Sequence, residues 1–170
     1  MVIEFSREDL MSRTTTMTAA VFAAALVAGG AARVAYADLS RGVISTFHGQ
    51  LVVSKDELPE GKNDKESITK IRAATLTTVE GAKNDDVTFW HFHYTAFLTK
   101  TGSAKLTLEF MKDGKLAANQ QLDGIDPKSN VLTGDISINE DEGLSPGKTY
   151  TVQLVTTGDA VVAKATVTMK

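Results

Sequence analysis

The stretch that decides the fold is VTFWHFHYTAFL, residues 87–98. Its even-numbered positions are all apolar or aromatic: Trp90, Phe92, Tyr94, Ala96 and Leu98. Its odd-numbered positions mix aromatic residues with histidine and threonine. Successive side chains of a β-strand point to opposite faces, so this period of two predicts a long strand whose even-numbered face lies in the core.

The same alternation recurs on the C-terminal side of this stretch. It predicts strands over residues 105–111, 116–122, 132–138, 149–156 and 161–169, with an Asp113-Gly114 hairpin turn between the first two. Towards the N-terminus, residues 47–54 and 72–79 are predicted as strands of less certain register. Between them, residues 56–66 are predicted to form either a long exposed loop or the entry to a short helix at residues 65–70. The pattern favours an all-β protein, an antiparallel β-sandwich of about seven to eight strands.

A motif near the C-terminus resembles a known family. The segment GLSPGKTYTVQL, residues 143–154, fits the pattern L-x-P-G-x-x-Y-x-V and resembles the end of a fibronectin type III or related immunoglobulin-like domain. The resemblance implies an immunoglobulin-like sandwich in which the tyrosine hydroxyl bonds to backbone a few residues upstream. It also implies that a buried tryptophan lies on an early strand. The residues to which it assigns structural roles are Trp90, Leu144, Pro146, Gly147 and Tyr150. It implies a fold and no particular activity.

The first 37 residues are predicted to be a targeting segment. An apolar run over residues 17–32 is followed by Ala35-Tyr36-Ala37, which fits the A-x-A pattern of signal peptidase sites. Met11 is an alternative start that gives a better signal-peptide order. The run is shorter than the about 20 apolar residues that span a membrane. We therefore expect cleavage after Ala37, a secreted or periplasmic protein, and a single domain over residues 38–170, with membrane contact only where the segment stays uncleaved.

Charge and composition exclude several function classes. Eighteen Lys and Arg residues against 21 Asp and Glu give a formal charge of −3, and no basic stripe is present, so no nucleic-acid partner is expected. The absence of cysteine excludes disulfides, thiolate nucleophiles and cysteine-based metal sites. No common catalytic or dinucleotide-binding motif occurs. The chain is accordingly predicted not to be an enzyme and to carry no cofactor.

One pair of histidines offers a metal-site hypothesis. His91 and His93 lie two residues apart on the predicted strand, so their side chains share a face at about 7 Å separation. A third ligand from an adjacent strand, with Glu109 as the candidate, would complete a Zn²⁺ or Cu²⁺ site. The alternative is a partly exposed packing or hydrogen-bonding pair. The chain is also similar to small periplasmic copper-binding sandwiches, but it lacks their histidines at the mature N-terminus and in the last hairpin.

The same face carries a second hypothesis. Phe89 and Phe97 flank the histidines on the odd-numbered side, and aromatic residues on both faces cannot all belong to a one-sided core. The set Phe89, His91, His93 and Phe97 is therefore a predicted interaction surface, the alternative being cover by the N-terminal segment or a loop. The resulting expectation is a non-catalytic binding or structural module whose partner is an unidentified protein or glycan of the cell envelope. The alternatives are a His-dependent metal-binding protein and a carbohydrate-binding module.

Overall fold

Two β-sheets packed face to face, with helices against the outside of one of them, make up this protein. The computed structural model describes residues 39–100 and 102–170. In chain order the elements are α1 (Arg41–Phe47), β1 (Leu51–Ser54), α2 (Asp64–Ala74), β2 (Thr78–Val79), β3 (Ala82–Asn84), β4 (Val87–Phe97), β5 (Leu106–Lys112), β6 (Lys115–Leu122), β7 (Val131–Asn139), a 3₁₀ turn (Glu140–Glu142), β8 (Lys148–Thr156) and β9 (Val161–Met169). The predicted signal segment, residues 1–37, lies outside the described residues. None of the helices within them is long and apolar enough to cross a membrane.

The first sheet is built around β4. Strand β7 runs antiparallel along one side of β4, from Phe89 opposite Asn139 to Phe97 opposite Val131. On the other side, β1 pairs with the C-terminal half of β4 and β3 pairs with its first residues, so β1 and β3 lie end to end. The alternation predicted a long strand here, and its neighbours on both sides make β4 the central strand of this sheet.

The second sheet has the order β2-β9-β8-β5-β6. Its pairs are antiparallel except for β2, which runs parallel to β9. The prediction of a mostly β protein with two sheets is confirmed. The parallel β2–β9 pair departs from the purely antiparallel arrangement that was expected; the two strands are far apart in sequence, so no hairpin turn fixes their relative direction.

The core lies between the two sheets. Four even-numbered residues of β4 are fully buried there: Trp90, Phe92, Tyr94 and Ala96. They face side chains of the second sheet, and the rings of Phe92 and Phe110 meet edge to face with centroids 6.4 Å apart. Fully burying a large apolar side chain contributes about 1.5–3 kcal/mol, so this row stabilises the sandwich strongly.

Two of the predicted strands are wrong in part. Residues 47–54 were predicted as one strand, but α1 ends at Phe47 and β1 begins only at Leu51. Residues 72–79 were also predicted as a strand, whereas α2 continues to Ala74 and β2 contains only Thr78 and Val79. The Asn63 side chain accepts the Glu66 N–H at 3.0 Å and caps the start of α2, which extends four residues beyond the predicted end at residue 70.

The two helices form a second apolar cluster against the outside of the first sheet. Its buried members are Val43 and Phe47 from α1, Val52 from β1, Ile71 from α2 and Phe97 from β4. The rings of Phe47 and Phe97 stack with centroids 5.1 Å apart. The helices therefore cover the C-terminal end of the outer face of β4 and leave its N-terminal end open.

The C-terminal motif has the local geometry that the resemblance implied. The Ser145 N–H donates to the hydroxyl oxygen of Tyr150 at 2.9 Å, five residues upstream of the ring. Leu144 and Tyr150 are buried, whereas Pro146 and Gly147 form an exposed turn in which Gly147 has a φ of +72°. The indole N–H of the buried Trp90 donates to the backbone oxygen of Lys170 at 2.8 Å. These contacts tie the end of the chain to the core.

Candidate functional site

The outer face of β4 changes from exposed to buried along its length. Phe89 is 36% exposed and His91 is exposed, whereas His93 is 4% exposed. Beyond His93, the side chains of Thr95 and Phe97 are fully buried. The change follows from the helices, because α1 and α2 lie over the far end of this face. A candidate site on this sheet is thus confined to the end that contains the two histidines.

His93 lies at the centre of a row that crosses three strands. Ser54 of β1 is its partner on one side, and Asp135 of β7 is its partner on the other. The Nδ1 atom of His93 lies 3.0 Å from Oδ1 of Asp135. Because an ionised carboxylate only accepts hydrogen bonds, Nδ1 carries the proton, and in a neutral ring Nε2 carries the lone pair. This Nε2 is buried and has no hydrogen-bond partner among the described residues.

The row has the order serine, histidine, aspartate, which is the order of a nucleophile, a base and an orienting acid. The hydroxyl of Ser54, however, donates to the backbone oxygen of Asp56 at 2.7 Å. Its side chain is also buried. Since activation requires a hydrogen bond from the nucleophile to the base, the three side chains do not form a reactive triad in this arrangement.

An open cleft of about 560 Å³ adjoins the row. It is lined by Lys55, Asp56, Glu57, His91, His93 and Asp135, and we name this set the histidine shelf. The first three residues follow β1 directly, while the other three belong to the paired strands β4 and β7. The volume falls within the range of ligand-binding clefts. With three carboxylates and one ammonium group, the shelf favours cations and hydrogen-bond donors.

The structure brings only some of the predicted site residues together. His91 and His93 share the shelf, and Phe89 lies next to it on the same face of β4. Phe97, which was predicted to belong to the same interaction surface, is instead buried under Phe47 because α1 covers it. Part of the aromatic set is therefore a core against the helices, as the alternative of cover by a neighbouring segment anticipated.

Glu109, the predicted third metal ligand, lies in the other sheet. It belongs to β5, and its Oε2 accepts a hydrogen bond from the Gln153 amide at 2.9 Å. The structure does not bring it to the histidines, because β5 pairs with β6 and β8 and not with β4. Across residues 39–100 and 102–170, no group of three or more His, Asp or Glu side chains is arranged to hold a metal ion.

Sequence reasoning missed the acidic half of the shelf. Asp135 occupies an exposed position of a strand that was predicted correctly, yet its place beside His93 depends on the sheet order. Asp56 and Glu57 were assigned to an exposed loop, and nothing in their local pattern links them to β4. One signal in the sequence could have helped to find Asp135. Polar residues alternate along its strand, and this alternation places the Asp135 side chain on an outer face.

A buried phenol lies on the core side of the same strands. Burial, together with the smaller effect of the negative charge of Asp135, raises the pKa of Tyr94 to about 12. The Tyr94 hydroxyl has no hydrogen-bond partner among the described residues. Its ring lies so close to Gly134 that a Cβ atom there would be 2.9 Å from it. Gly134 therefore leaves the space that this ring occupies.

The histidine shelf combines charged side chains with imidazole rings, and an exposed aromatic ring lies beside it. The shelf offers carboxylate acceptors and one exposed imidazole, and the unpartnered Nε2 of His93 is buried beside them. Phe89 adds an exposed aromatic ring beside them. No protein-family model, curated protein or solved structure matches this chain.

Proposed function

We propose that this chain is an exported, non-catalytic binding module that binds a protein of the cell envelope at the histidine shelf. The observation that supports this most directly is the buried Nε2 of His93, which lacks a hydrogen-bond partner among the described residues. Leaving a buried polar group unpaired costs about 1–3 kcal/mol, and such groups are rare. Because the atom is buried, a partner that donates an N–H or O–H to it must displace part of its cover on binding, and this contact removes the cost.

The surroundings of His93 favour a protein as the partner. Phe89 and His91 are exposed beside it, and Lys55, Asp56 and Glu57 surround the cleft with charges of both signs. An aromatic residue with a polar rim is typical of protein interfaces, in which few residues supply most of the binding energy. A carbohydrate that stacks on aromatic rings would have Phe89 alone at this site, because Trp90, Phe92 and Tyr94 lie in the core.

Three further observations support the remaining parts of the proposal. The Ser54 hydroxyl is bonded to backbone rather than to His93, which favours binding over catalysis. The Tyr150–Ser145 hydrogen bond supports an immunoglobulin-like origin of the sandwich. The apolar run at residues 17–32 and the small residues Ala35 and Ala37 support export. N-terminal sequencing of the protein from its native cells tests export: Asp38 is expected as the first residue, and a retained Met1 or Met11 would contradict cleavage.

The binding proposal is tested by capture from native envelope extract with the full chain as bait. We expect one protein partner to be retained both with and without chelator. The amount of partner captured should fall at least tenfold in the Phe89→Ala/His91→Ala double variant. Leu116→Ala is the matched control, because Leu116 is also an exposed apolar residue but lies on β6 in the other sheet. Equal capture by the double variant and the control would exclude the shelf as the interface. Release of the partner by soluble envelope glycan would instead indicate carbohydrate binding.

A transition-metal site is the second candidate, and one specific contact favours it. Metal-ligating histidines usually donate their other ring N–H to a carboxylate, as His93 does to Asp135. His91 would supply a second nitrogen, and Asp56 or Glu57 would supply oxygen after side-chain rotation. Titration of the full chain with Zn²⁺ or Cu²⁺ tests this candidate. Stoichiometric uptake that is lost in His91→Ala/His93→Gln and kept in Glu109→Gln would support it, and absence of uptake by the unaltered chain would exclude it.

A further inference from the structure

A second cleft, of about 350 Å³, lies at the opposite end of β4 from the histidine shelf. It is lined by Arg41, Ile44, Ser45, His48, Leu98, Thr99, Lys100 and Asn130, and we name this set the cationic cleft. Four of its residues come from α1 and its C-cap at spacings of three or four, so they share one face of the helix. The others follow β4 or precede β7. About six residues of extended strand, or about 20 Å, separate this cleft from His93.

The lining of this cleft carries two positive charges and no negative one. It contains Arg41 and Lys100, and it contains no carboxylate. Within the part of the chain that the structure describes, neither Arg41 nor Lys100 forms an ion pair. The whole chain carries a formal charge of −3, so a cleft without acidic residues is not a consequence of composition. Unpaired like charges that face one space attract an anion.

The rest of the lining indicates what else the anion carries. Ser45, Thr99 and Asn130 add hydroxyl and amide groups, while Ile44 and Leu98 add an apolar patch. The Ser45 hydroxyl donates to the backbone oxygen of Gly42 at 3.0 Å, so its oxygen remains available as an acceptor. The backbone of Asn130 is engaged by the Leu98 N–H, which fixes this residue at the edge of the cleft. Neutral hydrogen-bonding groups beside an apolar patch suit a ligand with hydroxyls on a carbon ring.

We propose that the cationic cleft binds an acidic sugar, that is, a monosaccharide unit carrying a carboxylate or phosphate group. Arg41 and Lys100 hold the anionic group, and Ser45, Thr99 and Asn130 bind the hydroxyls. The guanidinium fork pairs with two oxygens of either anion, and the lysine adds a point charge. The volume lies at the small end of ligand clefts, which fits one ring and its substituent. This site is independent of the proposed function at the histidine shelf.

The test measures binding of three probes to the full chain by calorimetry or NMR: glucuronic acid, glucose 6-phosphate and neutral glucose. We expect at least one acidic probe to bind, with glucose at least about tenfold weaker. Binding of glucuronic acid alone identifies a carboxylate site, and binding of glucose 6-phosphate alone identifies a phosphate site. The affinity for the acidic probe should fall at least about tenfold in Arg41→Gln/Lys100→Gln, because both cations that hold the anion are removed.

The matched control is Lys65→Gln/Arg72→Gln, which also removes two positive charges, but from α2 and away from the cleft. This control should keep the affinity, which separates a site from a general effect of net charge. All four positions are exposed, so both variants are expected to fold, and thermal unfolding verifies this. Three results would overturn the proposal: equal binding of glucose, unchanged affinity in Arg41→Gln/Lys100→Gln, or no binding of either acidic probe at about 10 mM.

Discussion

The two ends of the outer face of β4 differ in exposure although each carries an aromatic residue. Each end carries a phenylalanine on the same side of one strand, but Phe89 is 36% exposed and Phe97 is 0% exposed. The difference comes from α1 and α2, whose apolar residues pack on Phe97 and leave Phe89 uncovered. An outward-facing aromatic residue is thus a core residue or a surface residue according to what covers it. Residue type alone does not decide the question.

At the boundary between the exposed end and the covered end, several buried polar groups of the described residues have no hydrogen-bond partner. Three consecutive residues of the described chain, His93, Tyr94 and Thr95, each keep a buried polar atom without a hydrogen-bond partner. His93 and Thr95 face the helices and the shelf, whereas Tyr94 faces the core. Buried unpaired groups are destabilising, and a run of them is unusual in a native protein. We therefore expect this boundary to respond most to ligands and to pH.

The largest expected effect comes from truncating the covered phenylalanine. Phe97→Ala should lower the free energy of unfolding by about 3–5 kcal/mol, because it removes a fully buried ring and leaves a cavity under Phe47. Phe89→Ala should change it by only about 0.5 kcal/mol, the usual range for exposed positions. Urea denaturation of both variants measures the difference. Equal losses would show that the two ends do not differ in cover.

The next effect is a loss of stability at high pH that originates at Tyr94. Burial and the nearby charge of Asp135 raise the pKa of this phenol to about 12 in the folded state, against about 10 for an exposed tyrosine. The protonated Tyr94 side chain contributes its full stabilisation below pH 10. This contribution is lost as the pH rises towards 12, because the unfolded chain releases the tyrosine proton at a lower pH than the folded chain does. The loss amounts to about 2–3 kcal/mol. Denaturation curves between pH 9 and pH 12 should show it in the unaltered chain and not in Tyr94→Phe.

The same titration tests whether a charge on the outer face of the first sheet affects a group in the core. The charge of Asp135 contributes to the raised pKa of Tyr94. Asp135→Asn should therefore lower this folded-state pKa, so the alkaline loss of stability still begins near pH 10 but becomes smaller and is complete at a lower pH. An unchanged profile in Asp135→Asn would mean that burial alone sets this pKa.

A smaller loss of stability is expected from a substitution that weakens α2, one of the two helices that cover Phe97. Asn63→Ala removes the N-cap of α2 and should cost about 1 kcal/mol of unfolding free energy. Hydrogen exchange should increase in α2 and at the Phe97 end of β4, while the Phe89 end stays unchanged. Thr69→Ala, at an exposed position within the same helix, is the control and should have little effect. Uniformly faster exchange along β4 would contradict a local role of the helix.

The smallest expected effect on stability is that of His91→Ala. Its side chain is exposed, and no hydrogen bond or ion pair of this residue is present in the described structure. Its unfolding free energy should stay within about 0.5 kcal/mol of the unaltered chain, as measured by urea denaturation. A loss above 2 kcal/mol, about four times that range, would place His91 in a packed environment and would remove it from the proposed binding surface.

Much of the fold could be predicted because it depends on local pattern. The alternation over residues 87–98 identified a long strand and its core face, and Asp113-Gly114 identified a hairpin turn whose two residues have φ values of +50° and +75°. The tyrosine motif anticipated the bond between Tyr150 and Ser145. In each case the residues that carry the signal are close in sequence, so backbone preference and side-chain period determine the result directly.

The candidate site could be predicted only in part, because it is assembled from distant segments. The sequence by itself determined that His91 and His93 share the outer face of a strand. Only the tertiary structure decided that Asp135 lies beside His93 while Glu109 lies in the other sheet, and that two helices bury Phe97 but not Phe89. Strand alternation fixes which face a side chain takes. Its neighbours on that face depend on the order of the strands and on the path of the chain, which no local pattern contains.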